Sequence, residues 1–128
     1  MPEITPIYIA LIALFFLWLS GRVIAVRRSH SISLGDGGDK VLERRIRAQG
    51  NCAEYAPIGL LLLLALELQG AQVWVLHVLG LMLLAGRVLH GLALNHRKPA
   101  PMMRISGMLL TLGMIAVAAI LSLGMAVT

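Results

Sequence analysis

An all-α bundle of four membrane-spanning helices is the fold class this sequence predicts, and three observations carry it. The first is composition: 59% of the 128 residues are hydrophobic and only 13% are charged, whereas a soluble domain is about 45–50% apolar and about 25% charged. Second, the apolar residues fall into four runs, each near the roughly 20 residues that a bilayer core requires. Third, the charges collect in the connections between runs, which suits a chain whose solvent is lipid rather than water.

Taken in order, the first run extends from Ile7 to Val26 with one interruption, Arg22, and predicts a helix over 5–26. Glu3 stands where a secretory signal would carry basic residues, and no small-residue cleavage site is evident, so this span is expected to be retained. The second run, Ala56–Leu66, reaches spanning length only if the polar segment before it joins the same helix, giving 41–68. Asp39 is the expected N-cap, with Leu42 and Glu43 following at suitable distance. The third helix is expected over 72–94, carrying His77, Arg87 and His90, and the fourth over 104–127, where Ile105–Val127 holds no charge. SLGDGGDK at 33–40 and RKPAPMM at 97–103 break the chain, and LQGA at 68–71 is a short turn. One membrane domain over 1–128 accounts for the chain, with no linker to a second.

The net charge of +5 is unevenly placed. Arg27, Arg28, Lys40, Arg44, Arg45 and Arg47 flank the first connection, and Arg97, Lys98 and Arg104 the third, while the middle connection carries no basic residue. Basic loops stay cytoplasmic, so the reading is an integral membrane protein with both termini outside and the basic loops inside. Nucleic acid is not expected as a partner, because no soluble domain remains to display the charge. The lone Cys52 excludes an intrachain disulfide. No group of His, Cys and carboxylate residues has metal-ligand spacing, so no metal is expected.

The second helix carries the chemistry. Positions 44, 47, 51, 54 and 58 are separated by three, four, three and four residues, which places Arg44, Arg47, Asn51 and Glu54 on one face that turns apolar at Ile58. From Arg47 to Glu54 the stripe rises about 10 Å, about the span of an extended tripeptide. Arginines at helix ends snorkel routinely, and Arg44 and Arg45 are read that way. Glu54 is different, since an acid in the span costs roughly 2.5–3.5 kcal/mol and so marks either a polar cleft or a structural network.

RAQGNCAEYAP, residues 47–57, resembles the signature of the MAPEG family, the membrane-associated proteins of eicosanoid and glutathione metabolism. VIAVRR at 23–28, the length and the four helices are similar to the family as well, and GDGGD and GRVLHG resemble its bacterial members. The resemblance implies a homotrimer with glutathione sites between subunits. It implies glutathione contacts from Arg47, Asn51, Glu54 and Tyr55, with Gln49 and Arg27 lent by the neighbour. Arg28 and Arg104 match arginines near the thiol and are the catalytic candidates, Arg104 foremost. Arg87 matches a basic position that either reaches a glutathione carboxylate or Glu54, or serves as a strut between helices. His90 is read as packing and His77 as an outer-surface residue. Where the family commonly has tyrosines on the third helix, this chain has Val88, Leu89 and Leu92.

These residue types suit the ligand. Glutathione has two carboxylates and one ammonium, and arginine meets a carboxylate bidentately without losing its charge. Only a thiolate attacks, and an arginine beside the sulfur lowers its pKa. The implied activity is a membrane glutathione transferase acting on lipophilic electrophiles, with lipid hydroperoxide reduction as a further reaction. The competing reading is a non-catalytic member that binds a lipid or partner. A small multidrug exporter fits less well, since arginines share the face of Glu54 and repel a cation.

Overall fold

Hydropathy marks where lipid begins, not where a helix ends, and the helices accordingly run past their apolar segments. The computed structural model describes residues 1–128 as α1 (Thr5–His30), α2 (Lys40–Leu68), α3 (Val73–Asn95) and α4 (Pro101–Val127). All four are long and apolar enough to cross a membrane. The all-α, four-span expectation holds, with corrections at two ends. α1 continues through Arg27 and Arg28 to His30, where cations suit the negative end of the helix dipole. α4 begins at Pro101 rather than 104, because proline at the first helical position needs no amide partner.

The connections use local polar chemistry. Asp39 caps α2 as expected, accepting from the Leu42 amide at 3.0 Å, and its other oxygen pairs with His30 at the end of α1. This pair closes the 31–39 loop, where Gly35, Gly37 and Gly38 all adopt positive φ. At the opposite end of the bundle, Glu67 accepts from the amides of Glu3 (2.6 Å), Ile4 (2.7 Å) and Thr5 (2.7 Å). It thereby satisfies N–H groups that the start of α1 cannot pair internally.

α2 and α3 are the central pair. Each packs against the other three helices, while α1 and α4 do not meet. The core is formed by Leu19, Leu63, Leu66, Leu83 and Met114, all fully buried, together with Ala118. Much of the remaining apolar surface, including Leu14, Leu61, Leu109 and Ile120, faces outward. Lipid makes that arrangement stable, because there is no hydrophobic cost to exposure there.

The α3–α4 crossing depends on two glycines. A Cβ at Gly107 would lie 2.6 Å from the carbonyl oxygen of Gly86, and one at Gly86 would lie 2.8 Å from that of Gly107. The two backbones therefore meet directly, as small residues allow in membranes.

Two predictions follow from this packing and capping. Gly107→Val forces the backbones apart and should cost about 1–3 kcal/mol, read as a lower unfolding midpoint in detergent. The Asp39 carboxyl is held below its usual 3.8, first by the Leu42 amide and then by His30. A depressed folded-state value gives stabilisation that is complete above the unfolded pKa and is lost as pH falls through the folded one. Below about pH 4, the wild-type midpoint should therefore fall more steeply with acid than that of Asp39→Asn, which keeps the cap acceptor without the charge.

Candidate functional site

A cavity of about 440 Å³ opens between α2, α3 and α4 at the basic end of the bundle. Small-ligand sites typically measure about 300–1,000 Å³. Its walls are Glu43, Arg44, Arg47 and Asn51 from α2, His90 and Leu94 from α3, and Arg104 from α4. Leu94 is its one apolar residue. Three guanidinium groups against one carboxylate make it an anion site.

The arginines divide by commitment. Arg44 donates to the carbonyl oxygens of Ala93 (3.1 Å) and His96 (3.0 Å), so it finishes the C-terminus of α3 instead of snorkelling. Arg47 and Arg104 are exposed, and their side chains make no hydrogen bond within the chain. Their full donor sets face outward for a ligand. Arg104 also stands in the first turn of α4, where the helix dipole adds to the positive potential.

Arg87 lies behind this wall and is 1% exposed. Its Nε donates to Thr111 Oγ1 at 3.0 Å, and its Nη1 donates to the Asn51 carbonyl oxygen at 3.2 Å and to Asn51 Oδ1. Nη2 touches Met108 Sδ at 3.5 Å, and the Tyr55 ring lies under the guanidinium at 5.6 Å. Arg87 thus links α3 to α2 and α4 through neutral acceptors, with no carboxylate among them. A consequence reaches the cavity: holding Oδ1 turns the Asn51 amide so that its Nδ2 donors are free of protein acceptors.

Of the residues singled out from sequence, the cavity gathers Arg47, Asn51 and Arg104. Glu54 is exposed on the α2 surface and forms no ion pair. Tyr55 is half-buried against Arg87. Gln49 turns the other way, donating to Ser20 Oγ on α1 at 3.1 Å. Arg27 and Arg28 line a separate depression at the end of α1, where Arg27 also donates to the Gly35 carbonyl at 2.8 Å. Within one chain, then, the family-matched residues lie on two different faces.

Sequence reasoning passed over Glu43 and His90 as site residues. His90 is buried yet lines the cavity, and its one-turn spacing from Arg87 was the available signal. Glu43 pairs with Lys40 at 3.0 Å and brings the cavity its only carboxylate. His77, read as an outer-surface residue, shares a hydrogen bond of 2.9 Å between its Nδ1 and the Tyr8 hydroxyl, which joins α1 to α3.

The eleven-residue arginine–asparagine–glutamate signature is thus split between cavity and surface, and comparison with known proteins assigns it. Residues 5–124 match the MAPEG family. The chain belongs to the MAPEG family. It is also 38% identical over 94 residues to the inner membrane protein YecN of Escherichia coli K12, covering 73% of this chain and 72% of that protein. The YecN of Escherichia coli O6:H1 matches at the same identity and coverage. Four apolar spans and an inner-membrane relative support an integral inner-membrane protein.

The strut carries a prediction of its own. Arg87→Lys replaces a planar fork with a single point donor that cannot hold Thr111 and Asn51 together. Leaving one of these buried groups unpaired should cost about 1–3 kcal/mol, checked by thermal unfolding in detergent.

Proposed function

We propose that this protein is a membrane glutathione transferase whose cavity between α2, α3 and α4 holds glutathione and activates its thiol. One observation carries the reading: Arg47, Arg104 and the free amide donors of Asn51 converge on one cavity at the basic end of the bundle. Two uncommitted arginines match the two carboxylates of glutathione or one carboxylate and one thiolate, and Glu43 meets the ammonium.

Arg104 is the thiol-activating residue in this reading. A free thiol has a pKa of about 8.5, and lowering it by about two units corresponds to roughly 2.7 kcal/mol of thiolate stabilisation. The thiolate sulfur attacks an electrophilic carbon, a C–S bond forms, and the leaving group departs with its electron pair. The thiol proton has already passed to solvent. Holding thiolate beside a substrate dissolved in the same bilayer supplies most of the acceleration.

Glu54, Tyr55, Gln49, Arg27 and Arg28 enter this reading through assembly. An exposed acid within a span calls for a partner, and a homotrimer brings the α1–α2 face of one subunit to the cavity of the next. Gln49 and Arg27 then reach the glutathione site from across that contact, with Arg28 near its thiol end, while Glu54 and Tyr55 meet the same ligand from the subunit whose Arg47 and Asn51 hold it. The basic loops lie on the cytoplasmic side in this arrangement.

A second reading rests on a specific observation: no tyrosine, phenylalanine or tryptophan lines the cavity. A member that binds glutathione or a lipid without catalysis would keep Arg47 and Asn51 and lack turnover. The two readings part in one pair of measurements. Calorimetric titration of detergent-solubilised protein with glutathione should show saturable binding that Arg47→Ala weakens by about tenfold or more. Conjugation to a chlorinated nitrobenzene at pH 7 should fall about 25-fold in Arg104→Ala, as the thiolate fraction does when the pKa returns to about 8.5. Binding without any conjugation by the wild type supports the non-catalytic reading, and undiminished conjugation in Arg104→Ala removes Arg104 from its role.

A further inference from the structure

A second basic cavity, of about 260 Å³, lies at the same end of the bundle but on the α1 side. It is lined by Arg22 from α1, Arg44 and Arg45 from α2, and Asn95, His96 and Arg97 at the end of α3. No carboxylate lines it. Both ion pairs of the chain, His30–Asp39 and Lys40–Glu43, are formed elsewhere. Four guanidinium groups therefore share a small space with no carboxylate in its walls.

Their hydrogen bonds show which donors remain. Arg22 Nε donates to Asn95 Oδ1 at 3.3 Å, and Arg45 Nη1 donates to the Arg22 carbonyl oxygen at 3.0 Å. The second contact brings one cation onto the backbone of the residue that carries another. The outer nitrogens of Arg22, Nε and Nη2 of Arg45, and the whole of Arg97 have no acceptor in the chain. Arg44 is already committed to the end of α3.

The surroundings select the source of the anion. The Arg22 guanidinium lies over the Trp18 ring at 5.5 Å, and Trp18 stacks on Phe15 at 5.6 Å. From there the outer face of α1 is apolar and open, with Leu14 and Leu17 each 64% exposed and Trp18 42% exposed. Basic groups at headgroup depth, a tryptophan at the boundary and an apolar track below it match the layout of a phospholipid. A soluble anion would have no use for the track.

We infer that the cavity formed by Arg22, Arg45 and Arg97 binds the phosphate of an anionic phospholipid, whose acyl chains lie along the Phe15–Trp18 face of α1. This site is separate from the cavity proposed for glutathione and shares only the wall formed by Arg44 and Leu94. Occupancy would tie the ends of α1, α2 and α3 together through one ligand.

Native mass spectrometry and thermal unfolding of the delipidated protein in neutral detergent test this, with phosphatidylglycerol, phosphatidylcholine of the same chains, and inorganic phosphate as probes. Phosphatidylglycerol should remain bound and raise the unfolding midpoint, and the other two should not. Removal of each arginine should weaken phosphatidylglycerol binding by roughly fivefold: once in Arg97→Gln, and twice over in Arg22→Gln combined with Arg45→Gln. Arg97→Gln removes no bond within the chain, so it decides the matter even if the double variant does not fold. Equal binding of the two lipids, undiminished binding by Arg97→Gln, or equal stabilisation by inorganic phosphate would each overturn the assignment.

Discussion

The buried guanidinium of Arg87 is the constraint on which the rest of the bundle depends. A cation inside a membrane protein has no water to satisfy it, so the surrounding helices must supply acceptors. They do so with an amide and a backbone carbonyl from α2 and a hydroxyl from α4. Those acceptors can reach one side chain on α3 only because the α3 and α4 backbones touch at Gly86 and Gly107. Close approach and polar satisfaction are therefore one requirement. It fixes how α2 and α4 are rolled about α3, and so which residues face the cavity.

The cavity inherits its character from that arrangement. Arg87 takes the acceptor atom of Asn51 and leaves its donors outward, while Arg44 is held by the end of α3. The groups left over, Arg47 and Arg104, are those with freedom to meet a ligand. Positive charge is thus sorted into two kinds at one end of the molecule. Some arginines complete helix ends and helix crossings, and others are kept in reserve.

Much of the fold could be read from the chain directly. Four apolar runs located four helices, and Asp39 followed by Leu42 located a cap. Helix ends were harder, because Arg27 and Arg28 lie outside the apolar run yet inside α1, and Pro101 starts a helix where proline had been read only as a break. The site was partly legible. A spacing of three and four residues places Arg47, Asn51 and Glu54 on one face of α2, but a helical wheel says nothing about where the neighbouring helices cover that face. α3 and α4 close over the Asn51 end of the stripe and leave Glu54 outside. His90 was missed for the same reason, since its access to the cavity follows from the roll of α3.

Glu67 has an implication for biogenesis. Its carboxylate holds amides that precede it by 62 to 64 residues. While the ribosome has produced only the first span, the leading edge of that span has unpaired N–H groups, which must stay at the water boundary. They find their acceptor only after the second span has crossed. The leading edge of the first span accordingly settles only once the second is in place, and the first two spans reach their final depth as a pair.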